Sequence, residues 1–551
     1  MDLLPPSYSV VESKWALSYV LVAIIVSSVL FIEKQRRRSS SDNDDELKKE
    51  KAPEAKGGLP LIGHLHLLGG PVPVFRTLSS MAESHGPIFS LRLGFHTTLI
   101  VSSRELAREC LTTIDKVFAS RPNIAAGRYM GYNNAFFALA PYGEYWREMR
   151  KIATLELLSS HRLQQLKHVR DSEILCLVKD LFSTHRHKLR NLSDMVEVPM
   201  SQLLEHLTFN IIVRIIAGKR FSGDEKDLSD EENEGGILKR AVREATYLSG
   251  VFVEADGLPL TSMSKWVDFQ GHVRAMKKTA MDIDSVLHEW LHQHLLKRTN
   301  HAGEDFSETD FMDILISTFS DPDERICGHP RDVVIKATAL TLILTGTGST
   351  AITLTWALSL LLNHPRVLKK AQDELDSNVG THKWVQESDM KQLQYLQAII
   401  KETLRLYPPA PLTGIREAME DCFVGGYYVP KGTRLLINIW KLHRDPQVWT
   451  NPDEFVPERF MEDHKDLDFK GQNIEYIPFS SGRRSCPAAN FGIQVVSLTL
   501  ARLLQGFDLS TTTKDGVAVE MSEGLGVALP KLNPLRVMIK PRLSFELYQQ
   551  L

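Results

Sequence analysis

Cysteine is scarce in this chain: five residues in 551, at Cys110, Cys176, Cys327, Cys422 and Cys486, odd in number and widely spaced. No CxxC pair occurs, so neither a disulfide framework nor a common zinc site is indicated, and a reducing compartment fits. An excess of charge of either sign is lacking too. The 65 Lys and Arg against 68 Asp and Glu leave a formal net charge of −3, without the basic domain that nucleic-acid binding calls for. Internal repeats are absent, and after residue 58 no second linker interrupts the chain. A length that allows several domains therefore reads as one large domain, and 43% hydrophobic residues are enough to fill its core.

Charge is missing altogether from two long runs. Trp15 to Ile32 holds no charged residue and is close to the length that spans a bilayer. It is followed by Arg36, Arg37 and Arg38 rather than by a small-residue cleavage site, so it reads as a retained single-pass anchor. The positive-inside rule leaves that arginine flank, and everything after it, in the cytosol. The sequon at Asn191 is then expected to carry no glycan. The second run, Ala337 to Leu362, has the length of a span but carries many Thr and Ser and no basic flank of the first kind. It reads as a helix buried on all sides in a soluble core.

The chain divides into an anchor over 1–32 (span about 15–32), a charged linker over 33–58, and a folded domain over 59–551. The polar stretch Ser39 to Lys56 has almost nothing to bury. Short β-like runs at IFSLRLG and TTLIVSS precede long helical patterns, and Gly- and Pro-rich turns return after Pro408. The expected fold is mainly α with small β-sheets.

Four short motifs then appear in order. WREMR sets Trp146 and Arg150 on one helical face, where an indole N–H and a guanidinium suit a flat anion. KETLRLYPP sets Glu402 and Arg405 three apart on a helix that Pro408 and Pro409 end. PERF offers Arg459. FSSGRRSCPA places Cys486 on a turn made possible by Gly482, behind Arg483 and Arg484, whose charge is expected to lower the thiol pKa. A thiolate so placed is an iron ligand, and thiolate ligation of haem favours cleavage of the O–O bond of dioxygen.

In this order the motifs resemble the cytochrome P450 superfamily of haem–thiolate monooxygenases, over nearly the whole chain from LPLIGHLHLLGG to KPRL. The resemblance implies a cytochrome P450 fold behind the N-terminal transmembrane anchor, with haem b (iron protoporphyrin IX) as cofactor. Cys486 would be the axial iron ligand. Trp146, Arg150, Arg416, Phe479, Gly482 and Arg484 would hold the haem, and Glu402, Arg405 and Arg459 would have a structural role. The uncharged run at 337–362 would be the long helix across the distal side. The stretch MGYNNAFFALAPYGEYWREMRKIATLELLSSHRLQQLKHVR and TLTWALSLLLN resemble the plant family numbered eighty-two. Its members oxidise alkaloids, phenylpropanoids, flavones and terpenoids on the endoplasmic reticulum membrane. Electrons reach them from NADPH through NADPH–cytochrome P450 reductase. A small lipophilic substrate and a membrane are implied partners; nucleic acid is not.

Two positions depart from the family pattern. Ala488 stands where glycine is usual. In the distal helix, where the pattern is roughly Ala/Gly-Gly-x-Asp/Glu-Thr-Thr/Ser, this chain has Thr345-Gly346-Thr347-Gly348-Ser349-Thr350. The catalytic stretch Gly348, Ser349 and Thr350 thus keeps hydroxyls but has no carboxylate. Three readings follow: relay of protons through Ser349 and water, a substrate group that replaces the acid, or a reaction without oxygen insertion such as desaturation, ring coupling or rearrangement. Monooxygenation by hydroxyl and water relay is the reading adopted. A membrane-tethered binding protein without catalysis is disfavoured by the intact Cys486, Arg484, Glu402, Arg405, Trp146 and Arg150. By resemblance the substrate would meet segments 123–139, 345–350, 410–415 and 524–529. These are mainly apolar with no carboxylate, and Phe136, Phe137, Thr345, Leu412 and Leu525 are the expected pocket residues.

Overall fold

The structure, a computed structural model, describes residues 50–188, 194–221, 233–251, 253–257, 268, 270–300, 310–512 and 518–551. The anchor expected over 15–32 and the sequon at Asn191 lie outside the described residues. Helices dominate, and those that frame the site are α1 (Glu144–Ile152), α2 (Lys167–Lys188), α3 (Met200–Ala217), α4 (Glu234–Leu248), α5 (His272–Asn300), α6 (Arg331–Asn363), α7 (Gln394–Leu406) and α8 (Ala489–Gly506).

The uncharged run forms the centre of α6, which packs on α3, α5, α7 and α8 and is mostly buried. Among the described residues it is the one helix long and apolar enough to cross a membrane, yet two-thirds of its most apolar window is covered by protein. Its many hydroxyls are compatible with that burial because each can bond to the carbonyl one turn earlier. Thr338 donates to Val334, Thr341 to Ala337, Thr347 to Ile343 and Ser359 to Thr355, all at 2.7–2.9 Å. No hydroxyl of these four is left dry and unpaired, which would otherwise cost about 1–3 kcal/mol each.

Sheets are small. Strands β1 (Ile88–Leu93), β2 (His96–Val101), β3 (Arg416–Glu417) and β4 (Arg434–Ile437) form a sheet of order β1-β2-β4-β3. β1 and β2 are an antiparallel hairpin with Ile88 opposite Val101, and β2 runs parallel to β4 with Thr98 opposite Arg434. β3 pairs antiparallel with β4 and so fixes Arg416 beside Leu435. A three-stranded sheet joins 507–510, 537–541 and 196–198.

Residues 52–58, expected in the charged linker, belong instead to the folded unit, which begins at Ala52. Ala52 and Ala55 are buried, and Ala55 N–H donates to Ser90 O at 3.0 Å, adding an edge to β1. The charged residues around them, Lys51, Glu54 and Lys56, face water and disguise the pairing.

Candidate haem site

Cys486 sits at the end of a loop folded back on itself. Its N–H donates to Phe479 O at 2.9 Å, and Ser485 N–H donates to Gly482 O at 3.0 Å. Gly482 has φ +70°, and a Cβ there would lie 2.4 Å from Asp115 Oδ1 and 2.6 Å from Leu111 O. Glycine is therefore required twice over, by conformation and by space. Gly482→Ala is expected to abolish recovery of haem-loaded protein, measured as absorbance at the Soret band per milligram; recovery at the parental level would contradict this.

Behind the loop, α8 starts at Ala489, and Ala488 has an ordinary backbone conformation at φ −96°. The alanine therefore needs none of glycine's freedom, and its methyl lines the cavity rather than straining the loop. The thiol is open to a water-sized sphere and yet enclosed by protein, because what it meets is an internal cavity. Burial raises its pKa, against the opposing pull of the Ala488 N–H and of Arg150. That corrects the expectation that the adjacent arginines hold the thiol low. Arg483 turns out to Asp115, and Arg484 turns away to donate to Ala119 O at 2.6 Å and Ala140 O at 2.7 Å.

Those arginines do a different job. Arg121, Arg150, Arg416 and Arg484 converge beside the loop, and Asp115 Oδ1 takes one bond, from Arg416 at 3.1 Å. Arg484 is pushed down to about 8 by burial and then by the charges of Arg121, Arg416 and Arg150. Arg121 falls to about 9 by burial and Arg416, and Arg416 and Arg150 are also lowered by burial. Arg484 Nη1 and Arg416 Nε are buried with no hydrogen-bond partner. Buried cations in excess, with unused donors, call for an anion. Trp146 packs under this cluster, with the Arg484 guanidinium 4.3 Å and the Arg150 guanidinium 5.5 Å from its ring. Arg150 also donates to Ser485 O at 2.7 Å and so ties α1 to the cysteine loop. Arg121 was not singled out in the sequence; a lone Arg-Pro step carries no periodicity or spacing that marks it.

Facing Cys486 across the cavity is α6. The atom-free space amounts to about 850 Å³, part of it open to solvent. Ile212, Ile215, Leu342, Leu404 and Phe491 supply apolar walls, and Thr345, Ser349, Thr350 and Thr353 supply hydroxyls. Among the described residues no Asp, Glu, His, Lys or Arg lines it. Ser349 donates to Thr345 O at 3.0 Å and Thr350 to Gly346 O at 3.2 Å, which leaves their oxygens free to accept. Phe479 is on the wall with Cys486. The other expected pocket residues are placed elsewhere. Phe136 and Phe137 are buried in the main core, Leu412 packs partly buried in a separate cluster near β1, and Leu525 is 57% exposed. None of these four lines the cavity, because the loops that carry them turn their apolar side chains to neighbouring elements or outward.

Glu402, Arg405 and Arg459 meet at a fully desolvated site. Arg405 donates from Nε to Glu402 Oε2 at 2.7 Å and from Nη2 to Oε1 at 2.8 Å, and Arg459 Nε reaches the same Oε1 at 3.1 Å. Arg405 also donates to His443 O at 2.8 Å, Pro452 O at 2.6 Å and Glu454 O at 3.1 Å. His443 carries the connection onward, since its Nε2 accepts from Ile477 N–H at 2.9 Å, two residues before Phe479. Burial, with Arg405 nearby, pushes His443 down to about 3, so it is neutral and able to accept.

A planar dianionic macrocycle with an open metal position matches this arrangement: a thiol on one wall, apolar sides, hydroxyls opposite, and beside the cysteine loop a cluster of arginines in excess of the one carboxylate, Asp115, that pairs with it. The residues fit haem. Comparison with known proteins agrees. The cytochrome P450 family model matches residues 53–536. A dimethylnonatriene synthase of Arabidopsis thaliana is 50% identical over 91% of this chain and 92% of its own. The xanthotoxin 5-hydroxylase CYP82C4 of the same plant is 48% identical over 91% and 95%. A solved zebrafish cytochrome P450 with abiraterone, 25% identical, superposes with a TM-score of 0.67 over 85% of this chain and all of its own. A thiolate loop, an arginine cradle and a hydroxyl-lined helix across the cavity thus stand in a chain that belongs to the cytochrome P450 family, with haem b as its cofactor and monooxygenation as its chemistry.

Proposed function

We propose that this enzyme hydroxylates a neutral, lipophilic plant specialised metabolite. Dioxygen and electrons delivered from NADPH by NADPH–cytochrome P450 reductase would drive the reaction. The protein would work from the endoplasmic reticulum membrane on a single N-terminal span, with its catalytic domain in the cytosol. The observation that carries the substrate class is the cavity wall: mainly apolar, with hydroxyls on one face and, among the described residues, no carboxylate. A cationic amine would enter such a site without a counter-charge and lose its hydration. A terpenoid or a neutral aromatic loses little. The names of the relatives do not choose between these, since a dimethylnonatriene synthase and a xanthotoxin 5-hydroxylase are almost equally similar.

When bound, the haem supplies the activation of dioxygen, and its thiolate ligand favours O–O cleavage. The chain's own residues divide the remaining work. Arg121, Arg150, Arg416 and Arg484 neutralise and orient the propionates, while the apolar walls exclude bulk water and hold the substrate. Ser349 and Thr350 hold water at their hydroxyl oxygens and pass protons through it. The test is a panel of neutral terpenoids, neutral phenolic ethers and cationic alkaloids, offered to membranes that contain the enzyme and its reductase. NADPH-dependent consumption confined to neutral compounds supports the reading. Consumption confined to the alkaloids overturns it.

Gly348 favours a second reading, in which hydrogen is removed without oxygen insertion. A Cβ at Gly348 would meet no atom within 4 Å, so the position has room for an acid that the chain does not use. Gly348→Asp is expected to raise the yield of product per NADPH toward one. A lower yield would show that the glycine serves substrate fit.

A further inference from the structure

The loop over 123–139 and its flanks supply the carbonyls that aim the arginine cradle. Arg484 donates to Ala119 O and Ala140 O, on either side of the loop, and Arg121 donates to Ala138 O at 3.4 Å. The middle of this loop is strained. Tyr132, Asn133 and Asn134 lie in succession at φ +50°, +54° and +67°. Left-handed backbone is unfavourable for side-chain-bearing residues, least so for Asn and more so for Tyr. Such a run persists only where its surroundings hold it.

The holding groups come from outside the loop. Tyr132 Oη donates to Asp284 Oδ1 at 2.8 Å, and the same oxygen takes Lys336 Nζ at 2.6 Å. Lys336, almost wholly buried on α6, also sits 5.5 Å from the Tyr132 ring. Asp284 lies on α5, and two turns earlier on the same face Lys277 stands 5.1 Å over the Tyr129 ring. Burial opposes the charge on Asp284, but the bonds from Lys336 and Tyr132 keep its carboxyl below the usual range. At the loop's start, Asp256 accepts from Ala125 N–H at 2.8 Å and 2.9 Å and from Arg128 Nη2 at 2.9 Å. The strained turn is therefore pinned to α5 and α6, and both ends of the same loop meet the haem-binding guanidiniums.

We propose that Tyr132 and Asp284 are positioning residues for the haem cradle, which pin the 123–139 loop so that Arg121 and Arg484 stay aimed at the cofactor. This rests on the haem reading of the site, which the carbon monoxide band of the parent protein would test separately. Haem retention then depends on a hydrogen bond that touches neither haem nor substrate.

The experiment follows haem transfer from the full-length holoenzyme, in detergent, to excess apomyoglobin by the Soret change. Tyr132→Phe keeps the ring under Lys336 and removes only the hydroxyl. The expected result is haem loss about tenfold faster, the size of one lost bond to a charged group. Tyr132→Phe combined with Asp256→Asn should be faster still. Glu173→Gln is the control for general weakening. Glu173 is buried on α2, pairs with Arg214 and Arg220, and has no contact with the loop. That variant should melt at lower temperature and keep the parental rate of haem loss. Should Tyr132→Phe yield too little holoprotein, Lys277→Met tests the neighbouring tether in the same way. Parental haem loss in the tether variants would overturn the proposal. So would equal acceleration in Glu173→Gln, because retention would then follow overall stability.

Discussion

Cys486→Ala is expected to remove the red-shifted Soret band of the reduced carbon monoxide complex completely. The reason is local. The loop presents a single sulfur to the cavity, and Cys110, Cys176, Cys327 and Cys422 are absent from its lining, so no other thiol takes over. The backbone should tolerate the change, because the loop is held by the Cys486 N–H to Phe479 O bond and by Arg150 on Ser485, neither of which uses the thiol. The arginine cradle stays intact as well. Haem is therefore expected to bind still, with an altered Soret position and without the thiolate signature. An unchanged band would remove Cys486 as the ligand.

Arg405→Ala is expected to give no recoverable haem-loaded protein. Breaking a buried ion pair by removing one partner costs roughly 3–5 kcal/mol, since the remaining charge is left in low dielectric. Here Glu402 would keep Arg459 and the Val456 N–H at 3.0 Å but lose the two-pronged bond from Arg405. The carbonyls of His443 and Pro452 would lose the Arg405 donor at the same moment, and Glu454 O would keep only Arg459 Nη2 at 3.4 Å. Such a loss is a large part of the 5–15 kcal/mol that holds most domains folded. Because His443 hands its order on to Ile477, the damage reaches the cysteine loop. Arg405→Lys should not rescue, since three donors on one nitrogen cannot reproduce a planar fork. Holoprotein yield by carbon monoxide difference spectrum and thermal unfolding of any soluble fraction provide the measurements. Near-parental yield with Arg405→Lys would contradict the geometry described.

The parts of the site that were readable in the sequence are those whose chemistry is local. Cys486 with Gly482, and Glu402 with Arg405, are set by spacings of a few residues, and their neighbours announce a turn and a helix end. The buried central helix was readable for a similar reason: an uncharged run rich in Thr and Ser can satisfy its own hydroxyls once helical, so the pattern fits a core. Arg121 was not readable. It takes part in the cradle only because Arg416 and Arg484 arrive from 295 and 363 residues later along the chain, and no short-range pattern encodes that meeting. The Tyr132–Asp284 bond spans 152 residues and was hidden for the same reason. Leu525 and Leu412 fall outside the cavity lining, and the sequence does not show this because an apolar residue on a loop says nothing about which way the loop faces. The start of the folded unit is hard to read in the sequence because Ala52 and Ala55 are small and sit among charges, so their burial leaves almost no hydrophobic signal.

Gly348 joins the structural account to the chemistry. The cavity has hydroxyls at Ser349 and Thr350, a Cβ at the neighbouring Gly348 would meet open space, and among the described residues no acid lines the cavity. Oxygen insertion through that hydroxyl face is the central claim. The most direct measurement uses membranes carrying the enzyme and its reductase, with NADPH, a lipophilic plant extract and isotopically heavy dioxygen. Mass spectrometry then follows every metabolite that changes. A product that carries one heavy oxygen atom is the predicted result. A product that has only lost hydrogen, with no label, would contradict it and make the vacant position at Gly348 the mark of a reaction without oxygen insertion.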